Sequence, residues 1–466
     1  MRSVILLLNP ALVKDTLNEA LTTGGDFSEL FVENTRSESI TMRNGVVEDS
    51  MSGVGYGCGL RIFNGLNCVY AYTNDASRES LLKLASEAAK AIKKDGGAKV
   101  LDFENKAIAN NHPVQTQFYD VHKKEKIDML RQAHEASKAY DEAVTQTTNS
   151  FSGSIQNVLI ANSEGLWAED TRVRGRTFAQ AVASSATEKQ TGYVGPGSLS
   201  GFEYFRNMNF TELGTEAARI AVTMLKADLC PAGKFPVVID NGFGGVIFHE
   251  ACGHSLEATG VAKGASEFCG KLGQKIAADC VNAVDDGTIP NAWGSINIDD
   301  EGMPGQKNVL IENGILKSYL IDKLNAKKMG MAPTGSGRRQ SYHYAPTSRM
   351  TNTFICNGTT PTEDIIAATE YGLYAAKMGG GSVQPATGEF NFAVLEGYMI
   401  RNGKIAEPVR GATLIGKGGE VLLNIDMIGN NLTTAQGVCG SSSGGVPTDV
   451  GQPMIRVKEM TVGGRK

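Results

Sequence analysis

Three side chains that could carry out hydrolytic chemistry lie within six residues of one another. They are His249, Glu250 and His254, which spell H-E-x-x-x-H in a chain that holds only six histidines. Two imidazoles can bind a transition metal such as zinc, and a carboxylate beside them can act as a general base. The pattern therefore predicts a hydrolytic metal site.

The spacing of the two histidines requires a distorted helix. In the usual zinc-protease motif the histidines are four residues apart and share one helix face. Five residues apart, they are rotated by about 140° from each other on a regular helix. A π-type bulge, or unwinding at Gly253, would bring both to a single ion. The alternative is an ordinary helix with one buried and one exposed histidine.

A third ligand has two candidates among the eight cysteines. Cys439 lies in the C-terminal stretch GVCGSSSGGVPTDVGQP, where a glycine-flexed turn could hold a thiolate. Zinc accepts such mixed nitrogen and sulfur ligands. Cys252, inside the motif, is the rival. The stretch around Cys439 lacks the lysine that a phosphate-binding P-loop needs.

Charged residues elsewhere in the third segment could support the same site. Acidic groups could ligate a metal or orient a histidine, although those beside Gly287 and Gly302 are better explained as turn caps. Arg338 and Arg339 could bind a substrate carboxylate or pair with these acidic turns, and the sequence does not separate the two interpretations. The acidic candidates are Glu257, Asp285-Asp286 and Asp299-Asp300-Glu301.

A strand and a glycine-rich turn are expected to position the motif. The apolar run from Phe235 to Ile239 is typical of a buried strand. Asn241 can cap the helix that follows, and the glycines after it allow a tight turn.

Composition narrows the function classes. A length of 466 residues suits two or three domains, and a net charge of −5 argues against a nucleic-acid binder. The sequence contains no run of 18 apolar residues, so it predicts no membrane-spanning helix. The stretch MRSVILLLNP is too short for a signal peptide and predicts a first strand or a lead-in to a helix. Scattered cysteines without a C-x-x-C pair are typical of the reducing cytoplasm.

The first segment, residues 1–108, predicts an N-terminal α+β domain. Asn9 and Pro10 can begin a helix that ends near Gly24-Gly25. Several short strands follow, with hairpin turns at Asn44-Gly45 and Asn64-Gly65. A closing helix is expected from Ser77 to Lys94.

The second segment, residues 109–229, predicts a central α+β domain behind a linker at 109–117. Helices are expected from Lys123 to Tyr140 and from Thr211 to Asp228. Between them the pattern indicates strands near 143–151, 154–161, 166–174 and 176–184. His112, His122 and His134 stand apart from one another and are expected at the surface or between domains.

The third segment, residues 230–466, predicts short strands with glycine-rich turns, and hence an antiparallel sheet or barrel-like body that carries the metal-site helix. Thr360, Pro361 and Glu363 indicate a capping box ahead of one further helix that would carry Ile365 and Leu373. The predicted fold class is α+β, with two α+β domains followed by a strand-rich, antiparallel C-terminal domain.

Several long blocks of the third segment resemble the TldD/PmbA family, metalloproteases once described as modulators of DNA gyrase. The resemblance covers essentially all of this segment in order and, more weakly, the first two. The chain is similar to the TldD side of the family, because the PmbA (TldE) side lacks the metal motif. The blocks are HEACGHSLE, IDDEGMPGQKNVLIENGILKSYLIDK, PTGSGRRQSYHYAPTSRMTNTF, GYMIRNGKIAEPVRGATLIG, GVCG, VGQPMIRV and TVGG.

The resemblance assigns roles to individual residues. It implies zinc ligands at His249, His254 and Cys439, and a catalytic glutamate at Glu250. The family motif does not call for a cysteine at position 252. Tyr342 or His343 could donate to an oxyanion, a suggestion from residue type alone.

The resemblance further implies a zinc peptidase that cleaves extended peptides or unfolded protein segments, and the cysteine usage indicates the cytoplasm. The resemblance also implies a dimer, either a homodimer or a heterodimer with a PmbA-like subunit, whereas the net charge and the lack of a long apolar run indicate neither nucleic acid nor membrane as a partner. Two other functions stay open from the residues: a non-catalytic binding partner of other proteins, and a zinc hydrolase of small amides.

Overall fold

The computed structural model describes residues 8–92, 97–384 and 386–464. The lead-in predicted for the first seven residues lies outside these ranges, as does residue 94, the predicted end of the second helix. Within them, no helix is long and apolar enough to cross a membrane. The α-helices are α1 (Pro10–Ala20), α2 (Arg78–Ala89), α3 (Lys123–Tyr140), α4 (Glu203–Arg206), α5 (Phe210–Leu225), α6 (Val246–Phe248), α7 (Ala258–Val261), α8 (Lys323–Met329), α9 (Thr362–Ala367) and α10 (Gly418–Asn424).

The strands form one group in the first two segments and another in the third. The first group is β1 (Phe27–Arg43), β2 (Val46–Asn64), β3 (Asn67–Thr73), β4 (Glu104–Asn105), β5 (Val144–Asn162), β6 (Leu166–Ser184), β7 (Lys189–Val194) and β8 (Gly197–Ser198). The second group is β9 (Asp228–Leu229), β10 (Gly233–Ile239), β11 (Ala283–Asp286), β12 (Lys307–Glu312), β13 (Ile315–Leu316), β14 (Gly337–Arg338), β15 (Thr347–Ser348), β16 (Asn352–Ile355), β17 (Tyr371–Gln384), β18 (Glu389–Arg401), β19 (Lys404–Arg410), β20 (Thr413–Lys417), β21 (Ile425–Ile428), β22 (Thr433–Ser441), β23 (Gly444–Gln452) and β24 (Ile455–Gly463).

The first two segments share one sheet. Its strands follow the order β3, β2, β1, β5, β6 and β4, with β7 and β8 also paired to β6. Strands β1 and β5 run antiparallel from the pair Glu29 and Asn162 to the pair Arg43 and Thr148. Helices α1 and α2 pack in one core of this sheet, and α3 and α5 pack in another. The order helix, antiparallel strands, helix therefore occurs twice, as the sequence predicted.

The strands of this sheet are longer than predicted. The two strands expected over 143–161 form the single strand β5, and those expected over 166–184 form β6. Gly153 and Gly175 lie in the gaps between the predicted strands, but in the structure they are in mid-strand, where aromatic rings approach the backbone. A Cβ at Gly153 would lie 2.9 Å from Phe118, and one at Gly175 would lie 2.6 Å from Phe118 and Phe205. These glycines therefore serve packing rather than chain reversal.

Two local signals in the first segment, the helix cap at Asn9 and the hairpin turn at Asn44-Gly45, are confirmed, whereas Asn64 ends β2 and the second hairpin turns at residues 65–66. Asn9 Oδ1 accepts a hydrogen bond from the Ala11 N–H at 2.8 Å, and Pro10 is the first residue of α1. Asn44 and Gly45 join β1 to β2 with φ values of 48° and 81°, the left-handed values that a tight hairpin turn requires.

The third segment forms a closed, barrel-like sheet beside an open one. Strands β17, β10, β24, β20 and β18 pair in that order, and β18 also pairs with β17, which closes the ring. The open sheet has the order β13, β12, β11, β16, β23 and β22. The pairs β10–β17, β19–β9 and β16–β23 are parallel, whereas the other strand pairs within these two sheets are antiparallel. The predicted α+β class with a strand-rich, largely antiparallel C-terminal region is confirmed.

The capping box predicted at Thr360 is wrong. Helix α9 begins after Pro361, and no side chain caps it. The backbone of Thr360 instead forms an isolated bridge with Gly429, so this residue belongs to the strand-like approach to the helix. Ile365 is buried on α9 as expected, but Leu373 lies on β17.

Candidate metal centre

The motif follows a buried strand, as the sequence predicted. Val237 to Ile239 are fully buried in β10, and a 3₁₀ turn at Gly242–Gly245 then leads into α6. Asn241 precedes the turn, but its side chain donates to the carbonyl of Asn431 and does not cap it. A Cβ at Gly245 would lie 2.4 Å from the backbone of Gly451 in β23, so this glycine allows close packing of the turn on the open sheet.

The helix is distorted at the motif. Residues His249–Gly253 form a π-helical turn, in which the His254 N–H donates to the carbonyl of His249 five residues earlier. The π-type bulge predicted from the spacing is confirmed. Gly253 has an ordinary helical φ of −54°, so it does not unwind the chain. Its small size matters instead, because a Cβ there would lie 2.3 Å from Met350 Sδ.

The distorted turn brings two imidazoles and one thiol together. His249 Nε2 lies 3.2 Å from Cys439 Sγ, and His254 Nε2 lies 3.1 Å from the same sulfur. Their ligand atoms all lie within 4.8 Å of one another. His249 and Cys439 are buried, and His254 is nearly so. Across the described residues, this is the one group of three or more His, Cys, Asp or Glu side chains arranged to hold a metal ion.

The donor set fits zinc. Tetrahedral coordination with ordinary zinc bond lengths would place a nitrogen and a sulfur about 3.5 Å apart, close to the separations found here. Burial alone would raise the pKa of the Cys439 thiol, but His249 and His254 outweigh it and lower this pKa to about 4. The sulfur is therefore a thiolate at neutral pH, which is the form that binds metals.

Two residues outside the donor set hold these donors in position. Glu257 Oε2 lies 3.2 Å from His254 Nδ1, which leaves Nε2 directed at Cys439. This is the tautomer-holding role considered for Glu257 in the sequence. Arg349 lies 3.6 Å from Glu257 and donates to the carbonyl of Cys439. Sequence reasoning missed Arg349, since a single arginine in the block SRMTNTF has no spacing that points to the motif.

Glu250 lies beside the donors rather than among them. Its Oε2 is 3.6 Å from His254 Nε2, and its side chain is 28% exposed. The carboxylate can therefore reach both the donor cluster and solvent, which is the position a general base toward water needs.

The rival cysteine lies elsewhere. Cys252 packs in the main hydrophobic core of the third segment with Phe248 and Val421. Burial raises the pKa of its thiol well above the usual range, which disfavours a thiolate. Cys439 itself lies within strand β22, whereas the sequence suggested a flexible turn. The hairpin turn comes after Ser441, and β23 holds the cysteine in register opposite Val446.

The remaining candidate side chains serve other contacts. His112 is buried at the linker and accepts from the Asn291 N–H at 3.0 Å, an interdomain position as predicted. His122 accepts from the Lys124 N–H as a helix cap, and His134 bonds to Thr147. The rings of Tyr342 and His343, suggested as oxyanion donors, pack against each other at 4.0 Å and against Tyr72.

The acidic clusters take part in turns and buried ion pairs. Asp286 accepts from Thr288, and Asp299 accepts from the N–H groups of Glu301 and Met303, as expected for turn caps.

The other acidic residues differ from that expectation, because arginines and threonines distant in sequence reach them. Asp285 accepts from Thr351 and Thr353, Asp300 pairs with Arg172, and Glu301 pairs with Arg61. Arg339 pairs with Glu29, whereas Arg338 donates to the carbonyl of Met350.

Models of three successive protein domains match the chain. The PmbA/TldA metallopeptidase domain 1 matches residues 28–92, and the central domain matches residues 117–225. The PmbA/TldA metallopeptidase C-terminal domain matches residues 232–464, which contain all the residues of the donor cluster.

Similar proteins are known across nearly the full length of the chain. A metalloprotease TldD homolog of Buchnera aphidicola subsp. Acyrthosiphon pisum is 35% identical and covers 98% of both chains. A solved structure from Thermotoga maritima, described as a candidate modulator of a DNA gyrase, has a TM-score of 0.79 at 24% identity and covers 94% of this chain and 96% of its own. The structure of TldE from Thermococcus kodakarensis has a TM-score of 0.76 at 18% identity and covers 97% and 99%. At such identities the two structures show the same fold.

Proposed function

The chain belongs to the PmbA/TldD metallopeptidase family and is a metalloprotease, and we propose that it is a zinc-dependent peptidase that hydrolyses extended peptides or unfolded protein segments. The observation that carries this proposal is the convergence of His249, His254 and Cys439 beside Glu250. Two imidazoles and a thiolate leave a fourth position free on a tetrahedral ion, which is typical of catalytic zinc sites.

The protein's own residues divide the work. Zinc, when bound, supplies Lewis acidity toward a carbonyl and toward water. Glu250 takes a proton from the attacking water and passes it to the leaving amine. Glu257 fixes the ring of His254 through Nδ1, and Arg349 ties the backbone of Cys439 to Glu257.

The edge strand β22 supports an extended substrate. It is the last strand of the open sheet, and β23 is its partner in the part of the chain that the structure describes. Side chains of Arg176 and Trp293 donate to the carbonyls of Gln436 and Gly437 on this strand, whereas Val438, next to Cys439, is 64% exposed. An extended peptide can satisfy its backbone groups by adding to such an edge, whereas a folded loop cannot easily do so.

We further propose a dimer, either a homodimer or a heterodimer with a PmbA-like subunit, that acts in the cytoplasm. Support for the partner is the shared fold with TldE, and support for the compartment is that all eight cysteines are free. A dimer would enclose the donor cluster further and restrict entry to unfolded chains.

Digestion experiments test the proposed function. The purified protein is incubated with zinc and either a folded protein or its unfolded variant, and the products are read by mass spectrometry. We expect cleavage of the unfolded chain, little cleavage of the folded one, and loss of both after chelation. Equal cleavage of the two would exclude the enclosed site. Binding without cleavage would favour a non-catalytic partner, and cleavage of small amides alone would favour an amidohydrolase.

A further inference from the structure

A cavity of about 410 Å³ lies between the first sheet and the third segment, close to the metal centre. Its volume lies within the range of small-ligand sites. Four arginines line it, two from strand β6 and two from the stretch around β14. They are Arg172, Arg174, Arg338 and Arg339.

Two of these arginines are already paired with carboxylates. Arg172 lies 2.6 Å from Asp300, and Arg339 lies 2.8 Å from Glu29. Asp299, which also lines the cavity, accepts three backbone N–H groups, and Glu33 accepts from Gln156. These acidic groups are therefore engaged without either of the other two arginines.

Arg174 and Arg338 make no ion pair within the residues that the structure describes. The guanidinium of Arg174 donates to the carbonyls of Trp293 at 3.1 Å and Ser295 at 2.7 Å. That of Arg338 donates to the carbonyl of Met350 at 2.5 Å. Both residues are more than nine-tenths buried. A buried cation without a counter-ion is unfavourable, so an anion in the cavity would stabilise both.

The electrostatics agree with this geometry. Burial, together with neighbouring arginines, lowers the pKa of Arg174 to about 9 and that of Arg338 to about 10. The nearby positive charges thus destabilise each other, even though Asp170 and Asp300 near Arg174, and Asp300 and Asp285 near Arg338, offset part of the effect. A carboxylate is the anion whose geometry matches a guanidinium through two parallel hydrogen bonds.

The cavity adjoins the β22–β23 hairpin, which carries Cys439 of the metal centre. Val446 lines the cavity and lies directly opposite Cys439 in the strand pairing. Cross-strand partners lie on one face, with Cβ atoms about 4.5–5.5 Å apart. On the other side, Arg338 contacts the Met350 backbone, and the Met350 side chain packs on Gly253 of the π-helical turn. An extended peptide advances about 3.3 Å per residue, so a chain bound at the donor cluster reaches the neighbouring cavity within a few residues.

We propose that Arg174 and Arg338 form a subsite that binds a carboxylate of the peptide substrate, a few residues away from the scissile bond. This inference rests on the proposed peptidase function, because it names a substrate feature of that same site. The carboxylate is either the C-terminal group of the peptide or an acidic side chain, and both present the same chemistry to the two guanidinium groups.

Binding to the Glu250→Gln protein tests the subsite without turnover. Three versions of one fluorescent unfolded peptide are compared: a free C-terminal carboxylate, a C-terminal amide, and an amide with one internal aspartate. We expect each carboxylate that reaches the subsite to bind about 10- to 100-fold more tightly than the neutral amide, as for hydrogen bonds to a charged group. Equal Kd values for all three peptides would overturn the proposal.

Variants in the same Glu250→Gln background locate the effect. Arg174→Gln and Arg338→Gln should each bring the ratio of the Kd of the neutral amide to the Kd of the carboxylate peptide close to 1. Arg131→Gln, at an exposed arginine paired with Asp128, should keep the ratio of the parent protein. A preference that survives in folded Arg174→Gln and Arg338→Gln proteins would also overturn the subsite. Digestion by the wild type distinguishes a failure of the subsite from a failure of the peptidase function. Cleavage without a preference for carboxylate peptides would contradict the subsite alone. A preference in binding without any cleavage would contradict the peptidase function alone.

Discussion

Two buried polar clusters in this chain differ in how their charges are satisfied. In the ion network of Arg61, Glu29, Glu301, Arg172 and Asp300, each arginine lies 2.6–2.7 Å from a carboxylate. In the metal centre, two imidazoles and a thiol face one another, and the carboxylate of Glu250 beside them stays partly exposed. The network pairs guanidinium groups with carboxylates, whereas the metal centre brings together groups that can all donate an electron pair to a metal.

This difference indicates which cluster serves structure and which serves chemistry. The network joins the first sheet to the third segment, since Arg61 lies on β2 and Glu301 follows β11. Although burial raises the pKa of Asp300, Arg172 and Arg339 lower it below its usual range, which keeps this carboxylate ionised. Convergent donors with a strongly lowered thiol pKa are instead typical of functional sites.

The largest expected effect is on turnover at the metal centre. Glu250→Gln keeps the size and hydrogen-bonding reach of the side chain but removes the proton acceptor. Loss of general-base catalysis should lower peptide turnover by about 10²- to 10⁴-fold. Peptide turnover, zinc content and Tm are measured on the same preparation, and zinc content and Tm should stay near the wild type because Glu250 is not a ligand.

A structural role for Glu250 would give the opposite pattern. Stability and metal content would then fall first, with activity lost only in proportion. Full activity in a folded, zinc-loaded Glu250→Gln protein would contradict the mechanism.

The next effect falls on stability, in the ion network. Arg61→Met removes the partner shared by Glu29 and Glu301, both 1% exposed. Glu29 keeps its pair with Arg339, whereas Glu301 is left as a buried carboxylate without its counter-ion. Such a loss should lower the free energy of unfolding by about 3–5 kcal/mol. Denaturant unfolding measures it. The matched control is Arg43→Met, because Arg43 forms an exposed pair with Glu48 and should change stability by less than about 1 kcal/mol.

A pH measurement sharpens the comparison at the border of the network. Glu33 hydrogen-bonds to Gln156 rather than pairing with an arginine, and burial raises its pKa from 4.5 to about 7. The folded state therefore holds a proton that the unfolded chain has lost, so stability present below pH 4.5 is lost as pH rises through 7. Glu33→Gln should remove roughly 2–3 kcal/mol of this decline. Identical slopes of stability against pH in variant and wild type would contradict the assignment.

The smallest predicted effect is on metal affinity. Glu257→Gln weakens the contact with His254 Nδ1 without changing a proposed ligand. Loss of a carboxylate that contacts a metal-ligating histidine in this way lowers metal affinity by about 10- to 100-fold. Competition with a zinc chelator measures the change. Glu312→Gln, at an exposed pair with Lys317, serves as the control and should not alter zinc affinity. An unchanged affinity in the Glu257 variant would remove the orienting role.

Local chemistry made parts of the fold and site predictable. The cap at Asn9, the hairpin at Asn44-Gly45 and the bulge at His249 depend on residues close in sequence, and each was anticipated. The strand breaks predicted around Gly153 and Gly175 were wrong, because these glycines accommodate aromatic rings from other elements within continuous strands. Nothing local signals such a contact.

Long-range partners explain the remainder. Arg61 and Glu301 are 240 residues apart in sequence, and Cys439 is 190 residues from His249. Residue spacing left Cys252 and Cys439 as equal candidates for the third ligand, and the resemblance to a family favoured Cys439. The strand position of Cys439 and the support from Arg349 depend on tertiary contacts that only the structure displays.

Zinc content tests the central claim most directly. Purified wild type, Cys439→Ser and Cys252→Ser proteins are analysed for zinc per chain by elemental analysis, with Tm recorded for each. We predict one zinc per chain in the wild type, a sharp loss in Cys439→Ser, and no loss in Cys252→Ser. Zinc retained in a folded Cys439→Ser protein, together with its loss in Cys252→Ser, would transfer the third ligand to Cys252 and contradict the account.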